Sequence, residues 1–199
     1  MGNFYVTHSV KHADQQAVAE VLRGGRRSAY VTPPAGGYVV VYDEESDSQD
    51  AEEVASVGKL LSRKLQAPVL AVMNHDDDVL YYWLFEQGKE VDDYCSCPDY
   101  FGEDDSDEYD EDAEPEERGG DADLLCRVLG VPEAVEAVEA IIHGEEGAVF
   151  VVQQHAALAE ALGLPKFSVG MGFRYLENGE LPDGLRQEQL VRVGSKGPG

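Results

Sequence analysis

Cysteine, tryptophan and cationic side chains are all scarce in this chain of 199 residues. The three cysteines, Cys95, Cys97 and Cys126, make no disulfide framework, which needs an even set at higher density, so reduced thiols are expected. Fifteen Lys and Arg stand against 40 Asp and Glu, a formal net charge of −25. That balance argues against direct binding of a phosphate backbone, which needs clustered cations, and leaves open a basic protein partner or a loosely held cation. No apolar run approaches the roughly 20 residues of a membrane span. The opening MGNFYVTHSVKH lacks the apolar block of a secretory signal, and Val6 stands where a myristoylation pattern wants Ser or Thr. A cytoplasmic protein without membrane contact is the expectation. P-loop, dinucleotide fingerprint, nucleophile elbow, HExxH helix and calcium loop are missing as well, so no cofactor is predicted.

What is present is a chain with 43% apolar residues, enough for a substantial core. The charge is uneven. Residues 99–117 hold 12 of the 40 acidic residues and no Lys or Arg, which leaves about −13 on the other 180. Such a tract cannot offset its ordering entropy by burial, and residues 99–120 are expected to form an acidic disordered loop. It divides an α+β sheet domain over 1–98 from a mainly helical part over 121–193 packed on the same core. A disordered tail over 194–199 ends the chain.

Residues 3–10 alternate and suit a strand with one wet face. Asp14 is placed to cap a helix that Gly24 and Gly25 end, with Arg26 and Arg27 complementing its dipole. Residues 28–32 and 38–42 read as strands, and Asp50 caps a second helix carrying Val54, Val57, Leu60, Leu61 and Leu65 on one face. A strand after Pro68 completes the order of a ferredoxin-like βαββαβ unit, whose two helices cover one face of an antiparallel sheet. Here the unit is extended by a β-hairpin, because residues 79–85 turn at Gln87-Gly88, a pair suited to a type I′ loop. In 79–85, Val79, Tyr81, Trp83 and Phe85 point one way, and Leu80, Tyr82 and Leu84 the other. A strand apolar on both faces needs cover on both, and C-terminal helices are the expected second cover. Burial of that face in a dimer is the rival explanation. Beyond the tract, Asp121 caps a helix, Pro132 starts another, 148–152 reads as a short strand or buried link, and 153–162 as a helix. Gly170 and Gly172 suggest close backbone approach to the second sheet face.

The densest polar group is Asn74-His75-Asp76-Asp77-Asp78. His75, Asp76 and Asp78 are candidates for acid–base work, with Tyr81 or Asp92 nearby, and Asp76 and Asp77 for holding a divalent cation. A turn reading competes and is favoured, because Asn and Asp bond readily to neighbouring backbone amides. Cys95 and Cys97 are candidate zinc ligands, but zinc pairs usually have two to four residues between them and here there is one. His8 and His12 are read as surface histidines. Tyr100 and Phe101 open the acidic tract, and with Asp104, Asp105, Asp107, Glu108 and Tyr109 they are the candidate contact surface for a basic partner.

The segments MGNFYVT, GYVVVYDEES, NHDDDVLYYWLFEQGKEVDDY and ALGLPKFSVGMGF resemble a group of uncharacterised bacterial proteins. The resemblance implies a cytoplasmic bacterial protein that folds as one unit, and it brings no activity, cofactor or catalytic residue with it. Together these features point to a non-enzymatic acidic protein-binding or regulatory domain. An immunity-type protein or nucleic-acid mimic that fills a basic site is one form of it; a metal-dependent or acid–base enzyme is the alternative.

Overall fold

The computed structural model describes residues 2–101, 118–144 and 150–194, with the side chains of Asp99 and Phe101 outside that description. Its elements run β1 (Tyr5–Lys11), α1 (Gln15–Gly24), β2 (Ala29–Val31), β3 (Tyr38–Asp43), α2 (Ala51–Leu65), β4 (Val69–His75), β5 (Val79–Glu86), β6 (Lys89–Cys95), α3 (Ala122–Val128), α4 (Val135–His143), α5 (Val151–Ala161), α6 (Phe173–Glu177) and β7 (Val191–Val193). This is an α+β protein with one seven-stranded sheet in the order β6-β5-β4-β1-β3-β2-β7, every neighbouring pair antiparallel.

The local signals act where the chain places them. Asp14, Asp50 and Asp121 each accept backbone N–H groups at the start of α1, α2 and α3, satisfying donors that a helix leaves open at its first turn. Gln87 and Gly88 adopt φ of 52° and 81°, the left-handed pair that a type I′ hairpin requires.

One sheet face packs against α1 and α2. Val6, Val10, Val39, Val41, Val69, Ala71, Trp83 and Phe85 meet Val18, Leu22, Val54, Val57 and Leu61 there. The other face is filled from within the chain. Leu70, Val72, Leu80, Tyr82, Leu84 and Tyr94 pack against α3, α4 and α5, while Tyr30, Val40 and Tyr42 pack against Phe167 and α6. Both sides of β5 are thus covered by the protein itself, which removes the reason to invoke a dimer for the second face.

Between those two apolar clusters lies β1, and here the expectation of one wet face fails. All seven residues of β1 are buried, including Thr7, Ser9 and Lys11. Two of these polar side chains have partners: Thr7 Oγ1 donates to Ser168 O at 3.3 Å in the C-terminal part, and Lys11 Nζ donates to Tyr38 Oη on β3 at 3.2 Å. Gly172 explains the close cover, since a Cβ there would stand 2.7 Å from Asp47 Oδ1 and 3.0 Å from Tyr5 Cβ.

Four further expectations change. His8 is fully buried on the α2 side, with Nε2 3.1 Å from Val54 O; it is no surface histidine and shares no face with His12, which leaves the strand at φ 51°. Arg27 turns inward to Asp43 rather than serving the end of α1. The C-terminal part supplies a strand, β7, that pairs with β2. Finally, residues 99–101 continue a helical turn from Pro98, and Gly119 pairs with Tyr94, so both ends of the acidic stretch belong to the fold. Residues 148 and 149 lie outside the described residues, and Val151 is helical.

Candidate partner-binding corner

The hairpin joining β4 to β5 is held by its own carboxylates. Asp76 and Asp77 take φ of 54° and 61°, a left-handed conformation that Asp tolerates better than most residues. Asn74 and Asp77 bond reciprocally: Asn74 Nδ2 donates to Asp77 Oδ1, and Asp77 N donates to Asn74 Oδ1, both at 3.1 Å. Asn3 donates to Asp77 from its backbone at 3.2 Å and from its side chain, and Gly2 N donates to Asp76 Oδ1 at 3.1 Å. Val151 N donates to Asp77 O at 3.2 Å, which docks the start of α5. Gln49 closes the set, with Nε2 donating to Asn74 O at 2.7 Å and Oε1 lying 2.6 Å from His75 Nδ1. That arrangement puts a proton on Nδ1, since the Gln49 carbonyl oxygen can only accept.

The same corner gathers aromatic side chains at the surface. Four large apolar side chains are exposed among the described residues, Phe4, Tyr100, Phe150 and Leu181, and the first three lie here. Phe4 meets the His75 ring edge-on at 5.0 Å between centroids, and Tyr100 meets it at 5.7 Å. Phe150 directly precedes Val151, whose N–H is bonded to Asp77 O in the same turn. Asp78 is exposed, and its Oδ2 accepts a long bond of 3.4 Å from Tyr100 Oη.

Tyr100 stands near the start of the acidic stretch, and Arg118 and Gly119, which follow it, lie along β6. Cys95 N donates to Arg118 O at 2.8 Å, and Gly119 bridges Tyr94. Gly119 and Gly120 have φ of 67° and 85°, and a Cβ on Gly119 would stand 2.5 Å from Asp93 O. Asp104, Asp105, Asp107, Glu108 and Tyr109 lie outside the described residues, as does the side chain of Phe101.

The remaining candidates are dispersed. Tyr81 and Asp92 sit on opposite faces of the sheet. Tyr81 stacks on Trp83 at 5.5 Å, while Asp92 accepts the Tyr82 hydroxyl at 2.8 Å and the Asp121 N–H at 3.2 Å. Burial pushes the Asp92 carboxyl up, and those two donors work against the rise. Cys95 and Cys97 are half-buried, Cys126 is buried in the α3 core, and desolvation raises the thiols of Cys95 and Cys126, which keeps them poor nucleophiles. Among the described residues, no three His, Cys, Asp or Glu side chains come together in a way that could hold a metal ion. None of the described helices is long and apolar enough to cross a membrane.

Sequence reasoning placed Tyr100 and His75 separately and passed over Phe4 and Phe150. Phe4 read as an apolar member of the alternating strand over residues 3–10, whereas β1 begins at Tyr5 and leaves Phe4 exposed. Comparison with protein-family models, curated proteins and solved structures finds no match to this chain.

Proposed function

We propose that this protein is a non-enzymatic, cytoplasmic protein-binding domain whose partner is basic, and that its first six elements form a ferredoxin-like unit. The fold part of the reading is supported by the inner strand order β4-β1-β3-β2 with α1 and α2 on one face.

One observation carries the functional part. Three of the four exposed large apolar side chains gather at the corner from which the stretch with 12 acidic residues and no cation departs. Exposed apolar patches on soluble domains mark contact surfaces, and aromatic side chains dominate the energy of such contacts. The surrounding negative charge steers a cationic partner over a distance of about 8 Å at physiological salt. The corner carboxylates Asp76 and Asp77 are spent on holding the turn, which favours a scaffold role for them over acid–base or metal chemistry. A partner that presents a basic active site, as in the immunity-type or nucleic-acid-mimic form, fits the same surface.

The test is binding of purified cationic proteins at low and high salt. Affinity should fall steeply as salt rises, and neutralising the acidic stretch should weaken it further. Absence of binding at low salt overturns the reading.

A further inference from the structure

We propose that the corner formed by Phe4, His75, Tyr100 and Asp78 selects arginine over lysine in an extended segment of the partner. The inference rests on the protein-binding reading above and adds which side chain is recognised. Arginine presents a planar cation that stacks on aromatic rings and bonds a carboxylate through two parallel N–H groups. The ammonium of lysine is a point charge that does neither as well. The corner holds both complements. Phe4 and Tyr100 both contact the His75 ring, at 5.0 and 5.7 Å between centroids and steeply inclined to it at 83° and 71°, so the three rings form one cluster. Phe4 is 37% exposed and Tyr100 41%, which leaves area for a flat cation to cover.

Asp78 supplies the charge. It is the exposed member of the three consecutive aspartates, whereas Asp77 is committed to Asn3 and Asn74, and Asp76 to Gly2. Asp78 also lines a cleft with Ile141, Ile142 and Val151, an apolar wall suited to the methylene stem of a long cationic side chain. Arg118 lines the same cleft and is its only cation among the described residues.

The experiment compares two peptides of equal length and charge, one with arginine and one with lysine spaced by glycine and serine, by calorimetry at low salt. Wild-type protein should bind the arginine peptide on the order of five- to tenfold more tightly. Phe4→Leu and Tyr100→Leu, both at exposed positions and checked for unchanged circular dichroism, should each weaken arginine-peptide binding more than lysine-peptide binding and so erode that preference. Equal affinity of the two peptides for the wild type overturns the arginine inference and leaves the basic-partner reading standing. Failure of both peptides to bind overturns that reading as well. An arginine preference that survives both substitutions places recognition elsewhere and also overturns the inference.

Discussion

Tyr5 Oη lies 2.8 Å from His155 Nδ1, joining the first strand to a helix 150 positions later with both side chains sealed from solvent. The Asn74 side chain and the Gly170 backbone face the same hydroxyl, so its proton goes to Nδ1 and the neutral ring carries its own proton on Nε2. Tyr5→Phe should leave Nδ1 without a partner in a dry site and cost about 1–3 kcal/mol. Urea unfolding measures it; an unchanged midpoint would show that this contact contributes nothing.

His155 also sets an acid limit. Burial lowers its pKa from 6.5 to about 3, and burial likewise lowers that of His8. The unfolded chain therefore binds more protons than the folded one below pH 6.5. The contribution of His155 is complete above that value and declines as pH falls toward about 3, by up to about 1.4 kcal/mol per pH unit, and His8 acts in the same direction. Unfolding midpoints at pH 7, 5.5 and 4.5 should show the decline, and His155→Phe should flatten it.

Arg27 holds Asp43 with Nε at 3.1 Å and Nη2 at 2.5 Å, and its Nη1 reaches Glu53 at 3.0 Å and also pairs with Glu45. The Asp43 side chain is fully buried, so removing the cation strands a charge. Arg27→Met should destabilise by about 3–5 kcal/mol. Arg27→Lys should recover only part, because an ammonium cannot make the forked contact. A loss below 1 kcal/mol in Arg27→Met would argue that Ser46, which donates to Asp43 from both N and Oγ at 3.0 Å, suffices alone.

Gly58 lies in the middle of α2 where alanine would ordinarily favour the helix by up to about 1 kcal/mol. Here a Cβ would stand 2.3 Å from two carbons of the Phe85 ring. Overpacking costs about 1–3 kcal/mol, so Gly58→Ala should lower the thermal midpoint despite its helix propensity. Pairing it with Phe85→Leu should recover part of the loss, and a double mutant no better than the single would disprove direct contact as the cause.

Residues 102–117 leave from Phe101 and return to Arg118, whose carbonyl accepts the Cys95 N–H. The flanks are anchored by the helical turn at Pro98–Phe101 and by the pairing of Gly119 with Tyr94. Replacing 102–117 by a short Gly-Ser linker should therefore shift the thermal midpoint by no more than about 2–4 °C, the equivalent of roughly 1 kcal/mol at this size. Affinity for a cationic protein should fall in the same variant. A collapse of the midpoint would make the stretch part of the folded core.

Much of this architecture is legible in local chemistry. Asp14, Asp50 and Asp121 announce three helix starts because a short side-chain oxygen is what an open first turn needs. Gln87-Gly88 announces a hairpin because glycine accepts the left-handed backbone. The doubled apolar faces of β5 demand two layers of cover. β7 was not legible, since Val-Arg-Val carries no pattern beyond chance and becomes a strand only because β2 offers it an unpaired edge. The burial of Thr7 and His8 was hidden for a related reason, as the carbonyls that partner them, Ser168 O and Val54 O, lie far along the chain.

The corner divides along the same line. Composition and spacing by themselves determined the acidic stretch, the turn at residues 75–78 and the aromatic residue at its exit, because charge density and turn chemistry act over a few neighbouring residues. Only the tertiary structure brought Phe4, Tyr100 and Phe150 to one place, since their meeting depends on the strand register that sets Tyr5 opposite Asn74 and on the hydrogen bond that seats Val151 on Asp77.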